Sequence, residues 1–276
     1  MTEGRTVGST VSRSEKRQTG GHAGKHGGRV SAPRRRPGLR GLLACLGAFA
    51  LGLSLGAGSG VAWSAFGTDV VASKAKTRAV TQFRAKAHDV VERTAQLHTD
   101  LAEAQPPAAD LRTSPWGMLY VPSWAADGEA LADGIPIKEG TTDGVLDSGA
   151  AGHEVGAAAP GEIGNFVLAA HRRTYGSGFL RLPDLRAGDT LVVETTTAWF
   201  VYEVTGSEAV AATRGDVLAP VPGHPDAQPT QRLVTLYTGH SLTLGSWGND
   251  HRWVVTGTLV GWAEHDAGVP EALLGH

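Results

Sequence analysis

The alternation of apolar and polar positions changes rhythm three times along the 276 residues of this chain. Residues 1–40 show no apolar period. Gly41 to Phe66 then runs for 26 residues without a charged side chain. From Thr68 to Gln105 the apolar positions Val71, Ala72, Ala75, Ala79, Phe83, Ala87, Val90, Val91, Ala95, Leu97 and Leu101 recur mostly at three- and four-residue steps. That is the period of an amphipathic helix, and Pro106-Pro107 ends it. From Trp116 the apolar runs become short and are punctuated by Gly, Pro, Asn and Asp, which is the pattern of strands and turns.

The strands expected are Trp116–Val121, Ile135–Lys138, Asn165–Ala170, Thr190–Thr195, Trp199–Thr205, Ser207–Arg214, Leu233–Thr238 and Arg252–Trp262. Ile135–Lys138 reads as an edge strand, because Pro136 cannot donate to a ladder. Val145–His153 reads as a loop or short helical turn, and Asp216–Pro229 as a Pro-rich excursion. Roughly eight short strands with scant helix predict a mostly β protein closed into an eight-stranded barrel. The barrel follows a transmembrane helix and a helical stalk. The organisation expected is a basic tail (1–40), a membrane anchor (41–66), the stalk (67–105), a linker (106–115), the barrel (116–264) and a polar, loose C-terminal tail (265–276). The stalk either lifts the barrel off a membrane, packs on its flank, or is a solvated spacer.

Charge decides what the first segments meet. Residues 1–40 carry 10 Lys/Arg against 2 acidic residues, net +8, whereas residues 105–276 carry 9 against 20, net −11. Such a split indicates a membrane or nucleic-acid tail joined to a different kind of domain. A helix over 41–66 would measure roughly 39 Å at about 1.5 Å per residue, against a bilayer core of roughly 30 Å. A cleaved signal peptide usually has a shorter apolar run. Arg34, Arg35, Arg36 and Arg40 abut the span, so residues 1–40 are expected in the cytoplasm and the barrel outside, with a single pass. No aromatic or folded reader accompanies the basic tail, which argues against nucleic acid. The single Cys, Cys45, sits inside the expected span, as a packing residue or a lipidation site. The external domain therefore has neither disulfide nor thiol.

Three strand ends carry candidate chemistry. Asn165–Ala170 ends in His171-Arg172, Leu233-Val-Thr-Leu-Tyr-Thr238 ends in Gly239-His240, and Arg252 opens Trp253-Val254-Val255. A strand ending in A-H-R, a later T-L-x-T-x-H strand end and an Arg on the next strand resemble the sortases, most closely the class E type. Further segments resemble that family in order and spacing: Thr174-Tyr175-Gly176, Gly188-Asp189, Val217-Leu218 and Val254-Val255-Thr256-Gly257. The resemblance covers about residues 115–262. It implies cysteine transpeptidation of an L-A-x-T-G-type sorting signal on surface proteins, without a cofactor. His171 would be the acid/base and Arg252 the oxyanion partner. Gly239 stands where the family has its nucleophilic Cys. Tyr237, Thr238 and His240 would line the peptide site.

The general chemistry asks for a thiolate, an imidazole shuttle and a fixed cation, and Gly239 cannot supply the first. Loss of such a nucleophile costs on the order of a million-fold in rate, about 8 kcal/mol of barrier. A continued strand would aim Ser241 to the same side, but the chain turns into a loop there. Tyr237 replaces a smaller residue of the motif and either intrudes into the pocket or packs. His153, His171, His240 and His251 match no zinc spacing. The expectation is a membrane-anchored sortase-like pseudoenzyme that retains a peptide groove. The alternative is an active enzyme in which residue 239 is a variant or an error, since Cys and Gly codons differ by one base.

Overall fold

A computed structural model describes residues 67–87, 93–125, 131, 134–240 and 250–274. The expected span 41–66 lies outside them, and among the described residues no helix is long and apolar enough to cross a membrane. Eight strands form a closed barrel: β1 (Gly117–Tyr120), β2 (Ile135–Glu139), β3 (Ala151–His153), β4 (Gly164–Ala169), β5 (Thr190–Thr195), β6 (Ala198–Ala211), β7 (Arg232–His240) and β8 (His251–Glu264). The order around the barrel is β1-β2-β3-β4-β7-β8-β6-β5. The β2–β3 and β4–β7 pairs are parallel and the others antiparallel.

Strand alternation sorts the core into two layers. Leu119, Phe166, Leu168, Leu191, Val193, Phe200, Tyr202, Val234, Leu236 and Val255 fill the interior. The intervening Met118, Tyr120, Val192, Trp199 and Val201 face outward yet are also buried. They are covered by Phe83 of α1 (Thr68–Arg84) and by Val269 and Leu273 of the C-terminal segment. One wall of the barrel is thus apolar on both faces because it is sandwiched.

The clamp on that wall is polar. Glu194 of β5 is fully buried. Arg84 donates to it at 2.7 Å, the Tyr120 hydroxyl at 2.5 Å and His265 Nε2 at 2.8 Å. His265 also stacks on Trp199, with ring centroids 5.1 Å apart. Burial, and then the Glu194 charge, push the Tyr120 phenol well above its ordinary range.

Several expectations are corrected. Among the described residues the helical period over 68–105 is realised as Thr68–Arg84. Residues 93–105 contain no helix, because their backbone pairs with β8 instead. β8 extends past the start of β7, and that edge is filled by His98 N–H to the Trp262 carbonyl (2.8 Å) and Trp262 N–H to the His98 carbonyl (3.2 Å). Covering an open edge satisfies a row of polar groups. The stalk helix is no solvated spacer either, since Ala72, Ala79 and Phe83 are buried on one face. Strand β2 is no edge: it pairs with β1 and β3, and Pro136 falls near its start. Val145–His153, read as a loop or short helical turn, takes in the end of a short helix α2 (Asp143–Leu146) but also strand β3, which closes the barrel beside β4. Residues 198–211 form one long bulged strand rather than two. The tail after Glu264 is held, with His265, Val269 and Leu273 buried.

Phe83 anchors α1 in the outer layer. Phe83→Ala is expected to lower the unfolding free energy by about 3 kcal/mol, read as a denaturant midpoint shift at unchanged slope. An unmoved midpoint would show that α1 does not pack on the barrel.

Candidate functional site

Three ladders converge on one end of the barrel. In the antiparallel β7–β8 pair, Gly239 lies opposite Arg252 and His240 opposite His251. In the parallel β4–β7 pair, Ala169 lies opposite Tyr237. Extended two residues, that register sets His171 level with Gly239. Thr238 fastens the junction: it is buried, and its hydroxyl donates to the Ala170 carbonyl at 2.7 Å. The Gly and Arg positions read from the sequence are therefore paired across β7 and β8, and the His position follows the end of β4 by two residues. The Arg252 guanidinium donates to the His251 carbonyl at 3.2 Å. Ser241 lies outside the described residues.

His171 has a partner that sequence reasoning missed. Its Nε2 lies 2.8 Å from Asp147 Oδ1, at the C-terminal end of α2. A carboxylate there fixes the ring tautomer and leaves Nδ1 for proton transfer. Asp147 is itself positioned, because Lys138 of β2 donates to Ser148 Oγ at 2.8 Å and Ser148 donates to the Val145 carbonyl at 2.6 Å. Desolvation pulls the Lys138 ammonium below its ordinary range. The Tyr175 ring lies 5.1 Å from the His171 ring, and the Asp147 charge pushes its phenol up. The Tyr175 loop is strained: Tyr175, Gly176 and Ser177 all have positive φ, at 52°, 83° and 49°. Such strain at non-glycine residues persists only where surrounding structure enforces it. Asp69 of α1 supplies part of that support by accepting from Gly176 N–H at 2.8 Å. Tyr175 stands within a segment quoted above for the family resemblance. Asp147 carries no spacing signal.

Tyr237 does not hang free in the groove. Its hydroxyl donates to Glu154, just after β3, so the ring crosses the outer face of β4. Burial, then the hydrogen bond and charge of Glu154, push its phenol above the ordinary range. Glu154 also lines a cleft of about 560 Å³ along the start of β4, with Val155, Ile163, Asn165, Leu218 and Pro220. Buried Asn165 ties this floor together. It accepts from Thr235 at 2.8 Å and donates to the Ala219 carbonyl at 3.0 Å, holding the Pro-rich excursion against β4 and β7. The rim is apolar, with Val155 77% and Ile163 52% exposed. The cleft thus begins beside Tyr237 and runs away from His171.

His240 accepts at Nδ1 from Arg172 and packs edge-on against Trp253, centroids 5.1 Å apart. Burial, then the charges of Arg172, His251 and Arg173, lower its pKa. His153 is remote in role: it is buried between Trp116 and Phe166 and bonded to Glu139 and the Ala158 carbonyl. Among the described residues no group of three His, Cys, Asp or Glu is arranged to hold a metal ion.

Comparison with known proteins bears on the family and the fold. The family model described as Sortase domain matches residues 129–260. Sortase SrtE1 of Streptomyces coelicolor is 35% identical over 147 residues, 51% of this chain and 41% of that protein, so the match spans less than half of that relative. Sortase SrtE2 of the same organism is 28% identical over 253 residues, 89% of this chain and 90% of that protein. Among solved structures, the SrtA sortase from Actinomyces oris is 42% identical with a TM-score of 0.58, covering 66% of this chain and 98% of that one. With 42% identity over 98% of that structure, and with a Sortase domain match over residues 129–260, the chain belongs to the sortase family.

Proposed function

We propose that this chain is a class E type sortase-like protein that binds an L-A-x-T-G-type sorting signal of surface proteins and does not cleave it. In this reading residues 41–66 anchor it once in the cell membrane, with residues 1–40 in the cytoplasm and the barrel outside. The observation that carries the reading is the frame around Gly239. His171 is backed by Asp147 and set level with Gly239, Arg252 stands opposite in the ladder, and residue 239 has no side chain to attack a carbonyl. The acid/base and the cation are in place; the nucleophile is not. The cleft lined by Val155, Ile163, Leu218 and Pro220 offers apolar surface for the signal, at a size usual for ligand sites. Glu154, which lines it, accepts from the Tyr237 hydroxyl. The resemblance to SrtE1 and SrtE2 supports the class E assignment.

The test is peptide cleavage by the full chain, as sequenced and as Gly239→Cys. The Cys form is expected to cleave an L-A-x-T-G peptide and the parent to be slower by on the order of a million-fold. Cleavage by the parent at the rate of the variant would overturn the pseudoenzyme reading. Calorimetric titration of the parent with the same peptide is expected to show binding, and silence at millimolar peptide removes the groove. In the Gly239→Cys background, Asp147→Asn is expected to lower the cleavage rate by about tenfold or more while peptide affinity stays put, since proton transfer contributes roughly 10²–10⁴-fold. An unchanged rate would make the His171–Asp147 pair structural only.

A further inference from the structure

The end of the β4–β7–β8 wall gathers cations in a way the transfer chemistry does not require. Arg172 and Arg173 follow His171, His240 ends β7, and His251 opens β8 directly opposite. Arg172 donates to His240 Nδ1, a contact available only while that imidazole nitrogen is unprotonated. Among the described residues neither Arg172 nor Arg173 forms an ion pair, and Asp250 lies 3.3 Å from His251. The connecting stretch 241–249, Ser-Leu-Thr-Leu-Gly-Ser-Trp-Gly-Asn, adds no Asp or Glu. This happens in a domain whose residues 105–276 hold 20 acidic side chains against 9 Lys/Arg. The cluster therefore runs against the charge of its surroundings.

We propose that this corner is a binding site for a phosphate group, formed by Arg172, Arg173, His240 and His251. Two guanidinium forks match a tetrahedral dianion better than a single carboxylate, because each can donate two parallel hydrogen bonds. An anion here offsets the adjacent positive charges of Arg172 and Arg173. Burial and the charge of Arg173 depress Arg172, and burial with Arg172, His251 and Arg173 depresses His240. The site follows His171 directly in the chain, and the binding rests on no catalytic step.

Titration of the full chain with inorganic phosphate tests the site, at constant ionic strength set with chloride, followed by calorimetry and by broadening of the phosphorus resonance. Phosphate is expected to saturate one site, with acetate at least about tenfold weaker. Arg172→Gln with Arg173→Gln is expected to weaken phosphate binding by about tenfold or more. Arg173→Gln alone, a substitution at an exposed side chain that leaves the fold untouched, is expected to weaken it measurably. Arg214→Gln, whose partner is Asp216 on the excursion, is expected to leave it unchanged. Equal affinity for phosphate and acetate, or an unaltered phosphate isotherm in both the double and the single variant, would overturn the proposal. These outcomes are read on the parent residue Gly239, so a failure here is separable from a failure to bind or cleave the sorting peptide.

Discussion

The buried carboxylate of Glu194 is the constraint on which the outer half of this structure depends. A charge taken out of water costs several kcal/mol unless it is paired and hydrogen-bonded. Here the partners come from α1 (Arg84), β1 (Tyr120) and the segment after β8 (His265). None of the three is near Glu194 in sequence, so the carboxylate is satisfied only when all have docked. Apolar layers on either side of β5 supply burial energy, but burial is not directional. The carboxylate specifies which helix and which tail lie on that wall. It thereby converts a β barrel with one greasy outer face into a single closed unit.

The reactive corner obeys a different rule. Its frame is backbone: β7 and β8 run antiparallel and set Gly239 opposite Arg252, and β4 runs parallel to β7 up to Ala169 and Tyr237, two residues before His171 and Gly239. A frame of that kind needs no side chain at Gly239 to hold it, since the β7–β8 ladder runs through the backbone there. The side chains that refine the frame come from outside the ladders, as Asp147 does from the end of α2.

That division explains what could be read from the sequence. Strand runs, the A-H-R and T-L-x-T-x-H endings and the Arg on the next strand are local patterns, and the barrel and the His, Gly and Arg neighbours follow from them. Tyr237–Glu154, Arg172–His240 and Arg84–Glu194 join residues 83, 68 and 110 positions apart, and no local period encodes such pairs. The helical period over 68–105 misleads for a related reason. Leu97 and Leu101 are apolar because they lie on the barrel, and packing against it serves as well from an extended segment as from a helix. The tail misleads because Val269 and Leu273 are too sparse to mark an element, yet each fills the outer layer.

Three small residues meet behind the imidazole. Gly149 and Gly176 both have positive φ, and a side-chain carbon on either would come within 3.5 and 3.6 Å of the Ala72 methyl. Gly149 follows Asp147 by two residues, and Gly176 follows Tyr175. The helix before the barrel is therefore the back wall against which the His171 partners are set. A soluble fragment cut at the first strand would keep every residue of the reactive corner and lose the surface that holds two of them in place. Kinetics measured on such a fragment would report a slackened site rather than the protein's own. The boundary of the functional unit lies at the start of α1, well ahead of the boundary of the barrel.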